Sequence, residues 1–112
     1  MNKLLIVSQK NQKDKVDFIK NMILKTPPDN ICKTLMALAN RKEKCSILEN
    51  INIPALILVG EEDKVTPLAA ASKMHELIKE STLHTIKNAG HLSNLENPEA
   101  FNTHIKDFLQ KF

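Results

Sequence analysis

The pattern of apolar positions divides the chain into a helical first part and a second part in which strands and helices alternate. From about Lys13, apolar residues recur at helical spacing as far as Thr26-Pro27-Pro28-Asp29, where the prolines cannot continue a helix. A second helix is predicted to begin near Pro28 or Asp29. Its predicted core stripe is Ile31, Leu35 and Leu38. Ser46 to Asn50 is predicted to form a short helical turn.

The second part begins with an apolar run, Ala55 to Val59, that shows no alternation. Such a run is typical of a parallel strand that helices cover on both faces. Thr66-Pro67 predicts a helix start, with Thr66 as the N-cap. A shorter and more polar edge strand is predicted at Leu83 to Lys87, and Asn97-Pro98 predicts the start of the last helix.

A strand, a helix and a second strand in this order predict a right-handed βαβ unit with parallel strands. Two strands alone are marginally stable, and an unpaired apolar edge invites association. A further apolar run, Leu4 to Val7, is compatible with a strand or with one turn of a buried helix, because periodicity cannot decide at this length. The sequence therefore predicts a piece of a larger α/β domain, or a subunit that self-associates or completes its sheet with a partner chain.

Composition excludes several classes of function. The net charge of +3 is scattered over 112 residues that contain no Trp or Tyr, which argues against a nucleic-acid partner. The run Leu4 to Val7 is too short to span a membrane and no small-residue cleavage site follows it, so we expect a cytoplasmic protein without membrane contact. Cys32 and Cys45 are predicted to be free, buried thiols. His, Cys and acidic residues show no metal-ligand spacing, and neither a metal nor a cofactor is expected.

The candidate chemistry lies just after the two predicted strands. Asp63 follows the first strand in G-E-E-D and His91 follows the second in N-A-G-H, 28 positions later (91 − 63). The carboxyl ends of parallel strands meet at one edge of a sheet, where a carboxylate and an imidazole can act as the orienter and base of a nucleophilic triad. The plainer interpretations are a solvated turn residue for Asp63 and a backbone-bonded loop residue for His91. Val65 and Leu92 either line a substrate pocket or are ordinary apolar loop residues.

The stretch I-P-A-L-I-L-V-G-E-E-D-K-V-T-P, followed later by N-A-G-H-L-S-N-L-E-N-P-E-A-F, resembles the C-terminal third of an α/β-hydrolase-fold protein. It is most similar to 3-oxoadipate enol-lactonase-like and related ester hydrolases. The resemblance implies a remnant of a helical cap over residues 1–50 and the C-terminal βαβα portion of the core over residues 51–112. It also implies that Asp63 is the triad acid and His91 the base, and that the full-length family acts on small esters or lactones.

One part of the family pattern is missing from these 112 residues. The nucleophile elbow G-x-S-x-G needs two glycines four positions apart, and the only glycines are Gly60 and Gly90. Ser93 is in no strand-to-helix elbow. Three interpretations stand: a truncated hydrolase that is inactive alone, which we favour; one chain of a split hydrolase; and a non-catalytic interaction module.

Overall fold

The computed structural model describes residues 13–42 and 45–112. The predicted run Leu4 to Val7 lies outside these residues. The elements in chain order are α1 (Lys13–Lys25), α2 (Pro28–Asn40), a 3₁₀ helix (Cys45–Asn50), β1 (Ala55–Gly60), α3 (Leu68–Leu77), β2 (Ser81–Ile86), α4 (Ser93–Glu96) and α5 (Pro98–Leu109). No helix in this part of the chain is long and apolar enough to cross a membrane.

The strands β1 and β2 pair in parallel, in a register that runs from Ala55 opposite Ser81 to Gly60 opposite Ile86. The predicted parallel βαβ unit is confirmed. The second strand begins two residues earlier than predicted, because Ser81 and Thr82 pair with the first two residues of β1. Among the described residues the sheet has only these two strands.

The two faces of the sheet are covered by different helices. Ile57 and Val59 are buried in one cluster with Ala71 of α3, which places α3 on their face. On the other face, His84 lies opposite Leu58 in the register, and its ring stacks on His104 of α5 with 4.2 Å between ring centroids. Leu58 is only half-buried. The sheet therefore has a closed α3 face and a less complete α5 face.

The first two helices differ from expectation in what they bury. In α2 the predicted core residues Leu35 and Leu38 are 51% and 53% exposed, and Cys32 is a free but exposed thiol rather than a buried one. These predictions were wrong about burial although the helix itself is present. Helical periodicity indicates that one face of the helix is apolar, but it does not indicate that this face is buried. Nothing in the described part of the chain covers that face of α2.

The helix starts of the second part were predicted with mixed success. Asn97 caps α5, because its side-chain oxygen accepts a hydrogen bond from the Ala100 amide at 3.3 Å. Thr66 does not cap α3. That helix begins after Pro67 without a side-chain cap, and the Thr66 hydroxyl bonds to Asp63 instead.

Candidate active site

The carboxyl ends of β1 and β2 are tied together by main-chain contacts. Beyond the paired residues, the Glu61 amide donates to the Ile86 carbonyl and the Glu62 amide to the Ala89 carbonyl, both at 2.9 Å. Gly60 permits this approach, since a Cβ at that position would lie 2.0 Å from the Gly90 carbonyl oxygen. The chain segments that follow the two strands therefore leave the sheet side by side.

Asp63 is held by its own turn. Its Oδ1 accepts hydrogen bonds from the amides of Val65 and Thr66, each at 2.9 Å. Its Oδ2 accepts from the Thr66 hydroxyl at 3.0 Å and faces His91 Nδ1 at 3.1 Å. A short acidic side chain that accepts amides two and three residues ahead is a common turn device. Here it fixes a buried carboxylate that is 9% exposed.

The surroundings of Asp63 favour its ionised form. Burial raises the pKa of the carboxyl group, but hydrogen bonds from the Thr66 amide, His91, the Thr66 hydroxyl and the Val65 amide outweigh it and lower the pKa below its usual value. An ionised carboxylate can only accept hydrogen bonds. The bond between Asp63 and His91 therefore places the proton on Nδ1 of the imidazole.

His91 comes from the turn that follows β2. Its side chain is 35% exposed, and its Nδ1 also lies 3.3 Å from the Thr66 hydroxyl oxygen. Nε2 has no hydrogen-bond partner in the part of the chain that the structure describes. The predicted contact between Asp63 and His91 is present, and it leaves Nε2 as the ring nitrogen that can accept a proton.

Thr66 belongs to this site, and sequence reasoning gave it another role. Its amide and its hydroxyl both bond to Asp63, and its hydroxyl oxygen is within reach of the imidazole. The sequence D-x-x-T is compatible with two local structures, a helix cap or a side chain that turns back to the aspartate. The proline at position 67 suggested a helix cap. In the structure the Thr66 side chain instead turns back and bonds to the ionised Asp63 carboxylate.

A groove of about 300 Å³ opens beside the Asp63–His91 pair. It is lined by β1, by Ala70, Ala71 and Met74 of α3, and by Thr66 and Ser93 at the end where the pair lies. Val65 and Leu92 are not among its lining residues, and their contact with a substrate stays a prediction. Ser93 is buried, and no hydrogen bond joins it to His91 within residues 13–42 and 45–112. Over the same residues, no group of three His, Cys, Asp or Glu side chains could hold a metal ion.

The family model described as TAP-like protein matches residues 21–111. The chain belongs to this α/β-hydrolase family. The predicted family and the α/β fold are thus confirmed. In sequence, the α/β-hydrolase chain is 38% identical over 65 residues to 3-oxoadipate enol-lactonase 2 of Acinetobacter baylyi, covering 58% of this chain and 24% of that protein. It is 36% identical over 63 residues to the uncharacterized hydrolase YugF of Bacillus subtilis, covering 56% of this chain and 23% of that protein.

In structure, the α/β-hydrolase chain is similar to a thermophilic esterase from Thermogutta terrifontis, with a TM-score of 0.93 and 30% identity. The match covers 99% of this chain and 42% of the esterase. The chain spans about a quarter of the length of the curated relatives it matches.

Proposed function

We propose that Asp63 and His91 are the acid and base of an ester or lactone hydrolase whose serine nucleophile lies outside these 112 residues. One observation carries the proposal: the 3.1 Å bond between Asp63 Oδ2 and His91 Nδ1, at the carboxyl ends of two parallel strands. The names of the relatives, an enol-lactonase and an esterase, support the class of substrate.

In this reaction each residue has a separate role. His91 Nε2 takes the proton of the attacking hydroxyl group and later returns it to the leaving group. Asp63 holds the proton on Nδ1 and stabilises the imidazolium that forms, because its four hydrogen bonds keep it ionised. Thr66 holds Asp63 through its amide and its hydroxyl group.

We assign the nucleophile and the oxyanion hole to a stretch of polypeptide outside these 112 residues. Without the nucleophile the base has nothing to activate. In serine hydrolases the loss of the nucleophile alone lowers kcat on the order of a million-fold. The loss of an oxyanion donor removes roughly a further 3 kcal/mol of transition-state stabilisation.

The first experiment tests the isolated chain. We expect the purified 112-residue protein to hydrolyse a short-chain nitrophenyl ester no faster than free imidazole does, and we expect His91→Ala to change nothing measurable. The measurement is nitrophenol release by the two proteins side by side. Saturable turnover that disappears in His91→Ala would show a nucleophile within this chain. The proposal that the nucleophile lies outside these 112 residues would then have to be abandoned.

The second part of that experiment uses a chimera in which this chain replaces the matched 42% of the Thermogutta terrifontis esterase. We expect nitrophenyl ester hydrolysis by the chimera. We expect Asp63→Asn to lower kcat about 10⁴-fold and His91→Ala about 10⁶-fold. The control is His75→Ala, an exposed histidine of α3 that should leave turnover unchanged. Equal turnover with and without His91 would contradict the proposed role of this residue.

A further inference from the structure

The turn that carries His91 contains a buried acid that the proposed reaction does not use. Glu96 is 6% exposed, and its Oε2 accepts a hydrogen bond from the Gly90 amide at 2.7 Å. Gly90 directly precedes His91. A bond from an amide to a carboxylate is shorter and stronger than one between neutral groups. Burial of a charged side chain is costly unless such bonds compensate it, so this acid has a specific partner to hold.

Glu96 is itself fixed at the end of α4. Its amide donates to the Leu92 carbonyl at 3.0 Å, and its own carbonyl accepts from Lys15 Nζ of α1 at 3.0 Å. Next to it, the Asn97 side-chain amide donates to the Lys87 carbonyl at 2.9 Å. The carboxylate therefore reaches back six residues from a backbone that is anchored on two other segments. It closes residues 90–96 into a ring with His91 near its start.

The opposite side of the same turn rests on β1. The Ala89 carbonyl accepts from the Glu62 amide, and Gly60 leaves room for the carbonyl oxygens of Ala89 and Gly90. The backbone before His91 is thus held from two sides, by the end of β1 and by Glu96. The contact with β1 fixes how close the turn lies to Asp63. The bond to Glu96 holds the amide end of the same Ala89–Gly90 peptide, directly before His91.

We propose that Glu96 is a positioning residue that acts through the Gly90 amide to hold the His91 imidazole with Nδ1 against Asp63. The effect of Glu96 on catalysis rests on the proposed function, but the effect of Glu96 on the orientation of the His91 imidazole does not. Removal of the Glu96 carboxylate leaves the Ala89–Gly90 peptide held by the Glu62 amide at its carbonyl but without its bond at the amide, so the backbone before His91 is less firmly fixed. The bond between Nδ1 and Asp63 Oδ2 is then made only part of the time.

The test is nuclear magnetic resonance of the full chain labelled with ¹⁵N, read at the His91 ring nitrogens and at the Gly90 amide. In the unsubstituted chain we expect His91 in the Nδ1–H tautomer and a strongly protected Gly90 amide. In Glu96→Ala we expect a mixture of tautomers, and exchange of the Gly90 amide at least about tenfold faster, as for loss of a bond to a charged group. Glu96→Gln keeps an acceptor oxygen and should restore the tautomer in large part.

Two further variants separate positioning from general loss of structure. Glu99→Ala removes an exposed acid from the first turn of α5 and should change neither signal. Asp63→Asn should change the His91 tautomer without loosening Gly90, whereas Glu96→Ala should change both. Failure of the proposed function would appear in the chimera's turnover and not in these signals.

An unchanged His91 tautomer in folded Glu96→Ala would overturn the proposal. So would a loss of protection at Gly90 that is no greater than the loss across β1, since that result describes a purely structural residue. If Glu96→Ala does not fold, Glu96→Gln decides the matter: its weaker, neutral acceptor should still speed Gly90 exchange relative to β1. Gly90 exchange in Glu96→Gln that is as slow as in the unsubstituted chain would then count against Glu96.

Discussion

At the scale of single residues, the site depends on how completely one carboxylate is bonded. Asp63 receives two amide donors on one oxygen, and a hydroxyl donor and the imidazole on the other. These bonds outweigh the effect of burial and lower the pKa of Asp63. A group with a lowered pKa in the folded state stabilises the fold above its unfolded pKa, and this contribution is lost as pH falls through the folded value.

The pH dependence of stability tests this directly. The carboxyl group of an unfolded aspartate has a pKa of about 3.9. We expect the chain to be more stable than Asp63→Asn at neutral pH, and we expect the difference in free energy of unfolding to narrow as pH falls below about 4. Urea unfolding followed by circular dichroism between neutral and acid pH measures both curves.

The control for that experiment is Asp107→Asn, an exposed acid of α5 whose removal should leave the shape of the curve unchanged. A difference between the chain and Asp63→Asn that stays constant down to the lowest pH would contradict a lowered pKa at Asp63.

The pair Asp63 and His91 could be predicted from sequence because each lies just after a recognisable strand pattern. The first strand is followed by G-E-E-D and the second by N-A-G-H. Their catalytic role stays a prediction. Glu96 and Thr66 could not be assigned in the same way. A buried Glu and a solvated Glu look alike in sequence, and E-N-P-E offers two of them three residues apart. Only the packing of the turn after β2 distinguishes Glu96 from Glu99.

At the scale of elements, the close main-chain contact between the end of β1 and the turn after β2 determines where the site lies. Gly60→Ala would place a Cβ 2.0 Å from the Gly90 oxygen and 2.6 Å from the Ala89 oxygen, both main-chain atoms. The turn must then move away from β1. We expect a loss of about 2 kcal/mol or more in the free energy of unfolding, and loss of the Asp63–His91 bond. Thermal unfolding and the His91 ring signals measure the two effects.

Thr85→Ala is the matched control, because Thr85 is exposed on the neighbouring strand. It should change the free energy of unfolding by less than about 1 kcal/mol. If Gly60→Ala were no more damaging than Thr85→Ala, the close approach of these two segments would not be needed to form the site.

Sequence patterns identified every helix and strand of the described part except the single turn α4. The last helix begins at Pro98 as predicted, and the 3₁₀ turn lies close to its predicted bounds. Apolar period and proline positions are local signals, so they carry this information well. These local signals carry no information about which helix faces other parts of the protein bury. Leu35 and Leu38 lie on an apolar stripe of α2 as predicted, but both are exposed among the described residues. The predicted division into residues 1–50 and 51–112 stays a prediction.

At the scale of the whole molecule, the described chain is less compact than a small domain of its length usually is. Its radius of gyration is 15.9 Å, against about 13 Å for a compact domain of this length. Large apolar residues are exposed on both of the first two helices: Phe18, Met22, Leu24, Leu35, Met36 and Leu38. One edge of β1 has no partner strand among the described residues. These surfaces suit a partner chain or a second copy.

We therefore predict that the isolated chain self-associates. Sedimentation velocity at micromolar concentration should show a dimer or larger species. Substitution of Leu35 and Leu38 together by Lys should raise the dissociation constant at least about tenfold, because each buried Leu contributes roughly 1.5–3 kcal/mol. Lys33→Ala on the same helix is the control and should leave association nearly unchanged. A sharp monomer with cooperative thermal unfolding would contradict the prediction.

The contact between Gly60 and Gly90 has one more consequence, for how mutational data on this chain should be interpreted. The two glycines of the sequence are both at this single crossing. A complete substitution scan scored for abundance alone would show position 60 to be intolerant, although it carries no side chain and no chemistry. In the chimera with the Thermogutta terrifontis esterase, we expect a scan scored for hydrolysis to show the same intolerance at position 60, beside intolerance at Asp63 and His91. Comparison of the two scores would separate a position that shapes the backbone from the positions with a proposed role in hydrolysis.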